Sequence, residues 1–219
     1  MAWFNDIKDK FSKRRIRSLD RTKEYGRDFI DIDSADRIGV IVNMEDCSPE
    51  DLRLIEAYIE ALKKRKKEIM VIELTANKKA DSHFEGKLST IFISPTKVNW
   101  LDYPTPAIEE QVQSHTMDIL MDFDRSPRMA SKYLCSMARA KTRTGMYREG
   151  LESCYELMIN PSVGMLQRQP VTPEAAAQKP IEQDYEFSQD QEEKPDMRSV
   201  IKEFDYFLNM IDNGNKVDA

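Results

Sequence analysis

Between Arg37 and Ala76 the chain is apolar, then amphipathic, then apolar again, and this succession restricts the fold more than any other feature. "RIGVIVNM" (37–44) is short and rich in branched apolar side chains, the pattern of a strand buried on both faces. "SPEDLRLIEAYIEALKKRKKE" (48–68) opens with a helix start. Ser48 is placed to cap, Pro49 suits the first helical position, and Glu50 and Asp51 favour the positive end of the helix. Leu52, Ile55, Ile59 and Leu62 form one face, which Leu54 and Tyr58 widen, and Lys63 to Lys67 load the negative end with positive charge. "IMVIELTA" (69–76) is a second buried strand. Two such strands joined through a helix imply a parallel pair and a right-handed crossover.

The alternation continues. "TIFIS" (90–94) reads as a strand, "TPAIEEQVQSHTM" (105–117) as a short helix and "DILMDFD" (118–124) as a strand. "SPRMASKYLCSMARA" (126–140) reads as a helix and "YELMI" (155–159) as the last strand. The expectation is an α/β domain over 35–160, a single open, mostly parallel, Rossmann-like sheet with flanking helices. Helical extensions are expected at both ends. Residues 1–34 read as a basic amphipathic helix whose apolar stripe is Trp3, Phe4, Ile7 and Phe11. Residues 161–196 contain five prolines and few core formers and read as a disordered linker. Residues 197–212 regain a helical face through Val200, Phe204, Phe207, Leu208 and Ile211, and 213–219 form a tail.

A net charge of −6 argues against a dedicated nucleic-acid binder, although residues 8–23 leave nucleic acid a local basic route. The three cysteines have no CxxC spacing. Cys135 and Cys154 read as buried thiols of a cytoplasmic protein, and Cys47, just before a helix start, sits where a thiol pKa can be lowered but reads as a structural or incidental thiol. No apolar run approaches the roughly 20 residues of a membrane helix, and the N-terminus has no leader-like apolar block. With seven glycines, none in a GxGxxG or GxxxxGK[ST] junction, the chain lacks the phosphate cradles of ordinary dinucleotide and P-loop enzymes. His83 and His115 read as solvated surface side chains. No catalytic residue, metal or cofactor is assigned.

Parallel sheets hold ligands beyond the carboxyl ends of their strands. The candidate cleft therefore comprises Asn43, Asp46, Lys97, Asp122, Asp124, Arg125, Ser126 and Arg143. Asp118, Leu120, Asp122 and Asp124 share one face of an extended strand, and Ile119, Met121 and Phe123 share the other. Two carboxylates so spaced can hold Mg²⁺ with a phosphate. The favoured reading is plainer: Asp122 ends its strand while Asp124 and Ser126 cap the next helix. Ser48 and Ser126 would then open helices whose backbone amides can face an anion. "KVNWLDYP" (97–104) is the most distinctive loop, and its Trp100 suits either a partner contact or a cover over the sheet edge. The candidate partner contacts are Trp3, Phe4, Ile7, Phe11, Trp100, Phe204 and Phe207.

Three resemblances attach to these residues. The DxD of "DILMDFDRSP" (118–127) is similar to the nucleophile motif of haloacid-dehalogenase-like phosphatases, but it lies on a late strand rather than the first. "HTMDILMDFDRSPRMASKYLCSMARAKTRTG" (115–145) resembles a segment in the N-terminal domain of heptosyltransferase-like glycosyltransferases, with an Arg-x-Gly turn at Arg143 and Gly145. That likeness implies the fold and a degenerate, nucleotide-sugar-binding half of such an enzyme. Residues 37–160 as a whole resemble an uncharacterised family of small Bacteroidota proteins, through "IGVIVNMED", "KVNWLDYPT", "DILMDF", "ARAKTRTG" and "YELMI". The leading expectation is a non-enzymatic cytoplasmic protein that works through protein contacts. A nucleotide or nucleotide-sugar binder and a ribosome- or RNA-associated factor are the alternatives.

Overall fold

The structure, a computed structural model, describes residues 14, 16, 28–126, 128–160 and 194–211. Six strands are formed by Arg37–Asn43 (β1), Glu68–Leu74 (β2), Ser89–Ile93 (β3), Thr116–Asp122 (β4), Arg139–Met146 (β5) and Leu157–Ile159 (β6). They make one sheet of order β3-β2-β1-β4-β5-β6, with every neighbouring pair parallel. Four helices accompany it among the described residues: Pro49–Lys64 (α1), Pro106–Gln113 (α2), Met129–Met137 (α3) and Met197–Met210 (α4). The sheet grows outward from β1 in both directions. The strand order therefore reverses between β1 and β4, and their carboxyl ends bound the crevice in which a doubly wound fold holds a ligand.

Both faces of the sheet are covered. One layer packs Ile41, Ile72, Ile93 and Leu120 against Ile108 and Val112 of α2 and Tyr133 and Leu134 of α3. Ile16, fully buried, joins this layer. The other layer packs Val40, Val71, Ile119, Met121 and Phe123 against Ile55, Ile59 and Leu62 of α1 and Met197, Val200, Phe204 and Leu208 of α4. β4 thus divides Leu120 from Ile119, Met121 and Phe123, as its period of two requires. At the start of α1, Ser48 Oγ accepts from the Asp51 amide while the Asp51 carboxylate accepts from the Ser48 amide, a reciprocal cap.

Several boundaries depart from the sequence reading. The helix expected over 126–140 spans only Met129–Met137, and the next residues form β5. "RAKTRTGM" hides a strand because its inward side chains are Thr142, Arg143 and Thr144 rather than aliphatic ones, so no apolar run marks it. The Arg-x-Gly turn is accordingly strand. Gly145 has its own reason to be there, since a Cβ at that position would fall inside the Tyr155 ring. The helix expected over 105–117 stops at Gln113, and Thr116 and Met117 belong to β4. The last strand is Leu157–Ile159.

Of the basic extension only Arg14, exposed, and Ile16 carry a description up to residue 27, and both are helical. Trp3, Phe4, Ile7, Phe11 and the rest of 8–23 lie outside the described residues, as do 161–193 of the expected linker and the tail 213–219. Lys194, Pro195 and Asp196, expected in the linker, instead run along the domain into α4.

α4 is a part of the core. Its Met197, Val200, Phe204 and Leu208 are fully buried, Phe204 lies 5.3 Å from the Phe123 ring, and the Ile32 amide donates to the Leu208 carbonyl. Phe204→Ala should cost about 3–5 kcal/mol, the usual loss on truncating a buried aromatic. Urea denaturation of both proteins measures this, and a loss near zero would mean that α4 is not seated in solution.

Candidate functional site

Asn43 ends β1 and Asp122 ends β4; the parallel register pairs Asp122 with Ile41, so Asn43 lies two residues further on, level with Asp124 at the crevice. Burying a carboxylate is costly unless it is paired and hydrogen-bonded. Asp122 and Asp124 are 1% and 0% exposed, and all four of their carboxylate oxygens have donors. Oδ1 of Asp122 accepts from the Asp124 amide at 3.0 Å. Its Oδ2 accepts from Lys132 Nζ at 3.1 Å and from the Tyr155 hydroxyl at 2.6 Å. Oδ1 of Asp124 accepts from Asn43 Nδ2, the Ser126 amide and the Ser126 hydroxyl. Its Oδ2 accepts from the Ser131 hydroxyl and lies 3.5 Å from Lys132 Nζ.

Lys132, itself 1% exposed, also donates to the Asp124 carbonyl at 2.8 Å. Burial disfavours its charge, but the two carboxylates outweigh that and hold the ammonium above the ordinary lysine pKa. Asp124 is likewise opposed by burial, and Lys132 with the hydrogen bonds of Ser126, Ser131 and Asn43 brings it below the usual carboxylate range. Asp122 moves the other way. Burial, with the Asp124 charge added, exceeds the pull of Lys132 and raises its pKa. The cluster is a lysine and one firmly ionised carboxylate, with a second carboxyl that keeps its proton to higher pH than usual. A divalent cation at this DxD would have to displace Lys132.

The other cleft residues divide by position. Asp46 and Arg125 meet beside the crevice. Asp46 Oδ2 accepts from the Arg125 amide and Nε at 2.9 and 3.0 Å, and Arg125 Nη2 reaches the Asp46 carbonyl and the Asp51 carboxylate at 2.6 and 2.8 Å. Ser126 bonds Asn43 and Asp124 but caps no helix. Arg128 precedes α3, and no side-chain cap forms there, so the anion-facing helix start expected at Ser126 is not built. Lys97 is elsewhere, beyond the end of edge strand β3, where its ammonium donates to the Phe92 carbonyl at 2.7 Å. Arg143 is buried within β5, pairs with Glu156 at 3.4 Å and donates to the Ser136 carbonyl. Asp118, at the opposite end of β4, accepts from the Asp36 and Arg37 amides and from Lys141.

The loop 97–104 is held by Asn99, whose Oδ1 accepts from the Leu101 and Tyr103 amides. Asp102 pairs with Arg128 at 3.2 Å, Tyr103 is buried with its ring 4.7 Å from Tyr133, and Trp100 remains 67% exposed. Of the other proposed partner contacts, Phe204 is buried and Phe207 is 37% exposed. Cys47 is half-buried, and burial pushes its thiol up to about 12, so the lowering that its place before a helix start allows does not occur. Cys135 and Cys154 are buried thiols that form no disulfide. His115 is exposed, and His83 is half-buried with its Nε2 3.0 Å from Glu56.

Sequence reasoning missed Lys132, Ser131 and Tyr155. Lys132 did carry a signal, as the one charged residue in the "MASKYLCSM" helix, whose first eight residues are all buried. Tyr155 carried none, because only the fold brings it to Asp122 across 33 positions.

A model of a family of unknown function (DUF6913) matches residues 8–167, well over half of the 219, and the chain belongs to that family. No curated protein and no solved structure matches it. Among the described residues no group of three or more His, Cys, Asp or Glu is arranged to hold a metal ion, and no helix is long and apolar enough to cross a membrane.

Lys132→Met should cost about 3–5 kcal/mol, because it leaves buried carboxylate charge unpaired; chemical denaturation at neutral pH reads the loss. The raised pKa of Asp122 sets a pH dependence of definite sign. A group that binds its proton more tightly when folded adds stability below its unfolded pKa of about 3.9 and loses that contribution as pH rises through the folded value. The stability of the wild type relative to Asp122→Asn should therefore fall as pH is raised from about 4. Paired urea titrations across pH measure the difference, and a rising difference would contradict the assignment.

Proposed function

We propose that this member of the family is a non-catalytic binding protein that acts through contacts with other proteins in the cytoplasm. One observation carries the reading: every carboxylate oxygen of Asp122 and Asp124 is occupied by a donor from the chain itself, so the charges at the β1–β4 crevice are spent on holding the fold. Aromatic surface lies elsewhere. Trp100 projects from a loop pinned by Asn99 and by the Asp102–Arg128 pair, so little ordering would be lost on contact. Exposed aromatic side chains on a rigid support are the usual anchors of protein interfaces.

The strand order supports a second reading, a nucleotide or nucleotide-sugar binder descended from a glycosyltransferase half. Its reversal between β1 and β4 is where this architecture places such ligands. Association through the basic segment 8–23 with RNA or the ribosome rests on the sequence alone.

Two measurements separate the readings. Affinity capture of the tagged full chain should retain a defined set of proteins, and Trp100→Ala should reduce that capture at least about tenfold, a loss of the size expected for an interface anchor. A thermal-shift screen of nucleotides and nucleotide sugars, with and without Mg²⁺, should give no stabilisation. A ligand at 100 times its dissociation constant would give about 2.7 kcal/mol. A shift of that size, abolished by Asn43→Ala, would replace the first reading with the second.

A further inference from the structure

We propose that Lys194 and Pro195 form an ionic strap over the flank of the β1–β4 crevice, and that this strap opens while α4 stays seated. The strap and the helix are consecutive in sequence but are held by different forces. Lys194 donates to the Asp46 carbonyl at 2.9 Å and pairs with the Asp46 carboxylate, and the Pro195 carbonyl accepts from Arg125 Nη1 at 3.1 Å. The strap has no fully buried side chain: Lys194 is exposed and Pro195 half-buried. Three residues on, the chain is anchored by Met197, Val200, Phe204 and Leu208, each fully buried.

The ion pair joins unlike partners. The Lys194 side chain is 46% exposed, whereas that of Asp46 is 1% exposed. Asp46 also holds Arg125, whose side chain is 5% exposed, so the carboxylate remains compensated when Lys194 leaves. A half-exposed pair is screened by salt, a buried pair much less so, and apolar burial is not weakened by sodium chloride. Salt should therefore release the strap and leave both the Asp46–Arg125 pair and α4 in place.

The hinge is already marked. Asp196 caps α4 by accepting from the Arg198 and Ser199 amides, so the helix start is closed by a residue that does not depend on the strap. Opening frees one Nη1 N–H of Arg125 and one side of the Asp46 carbonyl, whose other side Arg125 Nη2 keeps, a donor next to an acceptor at the crevice flank. In the closed state this chain's own peptide carbonyl and ammonium fill both.

Backbone ¹⁵N relaxation of the full-length protein tests the proposal. At low salt the amide of residue 194 should show an order parameter of about 0.85, as for rigid backbone, and in 1 M NaCl it should drop below about 0.6. Lys194→Ala should give the low value at either salt concentration, and Lys194→Arg should restore the salt response. The amides of Val200, Phe204 and Leu208 should stay rigid throughout. No change at residue 194, or a loss of order that spreads along α4, would overturn the strap.

Discussion

The ammonium of Lys132, set between Asp122 and Asp124 under the sheet, is the interaction on which the centre of the molecule depends. It reaches β4 from α3, and Tyr155 reaches the same carboxylate from beyond β5. The cluster ties together the end of β4, helix α3 and the segment that leads into β6. Its geometry also constrains neighbours that carry no charge. The Tyr155 ring, anchored through its hydroxyl, lies against Gly145 and leaves no room for a side chain there. Removing one member of such a network costs more than the network contributes, because the remaining charges stay buried.

The crevice is ordered by the same economy. The strand order makes the β1–β4 junction the natural ligand position of the fold, yet there Asn43 Nδ2, Ser126 and the Asp124 carboxylate bond one another, while Asn43 Oδ1 is buried without a hydrogen-bond partner. Around it, Arg125 links the end of β4 to Asp46, to the first turn of α1 through Asp51 and to the C-terminal segment through Pro195. One guanidinium thus joins three separate parts of the chain, a task suited to its five fixed donors. The α4 segment then closes the second layer beside α1, so a helix separated from the sheet by more than 30 residues contributes four fully buried side chains.

Much of the fold was legible where apolar periodicity was strong. β1 and β2 fall within two residues of the sequence reading, and α1 starts where it was read although it ends at Lys64, four residues before the end of the 48–68 stretch, because branched apolar runs and the Ser48-Pro49 start are local signals. β5 was not legible, since its buried positions include Thr142, Arg143 and Thr144, and the partners of Thr142 and Arg143 come from other elements. The candidate site was half legible. Asn43, Asp46, Asp122, Asp124, Arg125 and Ser126 do converge, while Lys97 and Arg143 do not. Strand-end position alone could not distinguish a residue at the β1–β4 reversal from one at the edge of the sheet.

The sequence by itself determined the α/β class, the parallel pairing of β1 with β2 and the carboxyl-end rim of the sheet on which a crevice would lie, because each follows from local pattern and from the handedness of crossovers. Only the tertiary structure decided what the carboxylates of "DILMDFDRSP" do. Whether an aspartate caps, binds metal or is neutralised depends on which cation lies within about 4 Å. Lys132 and Tyr155, Ser131 and Asn43 are brought there by the packing of α3 and the strands, not by their spacing along the chain. The same holds for Phe204: its helical face was evident, but that the face closes the domain's own core is a fact of three-dimensional packing.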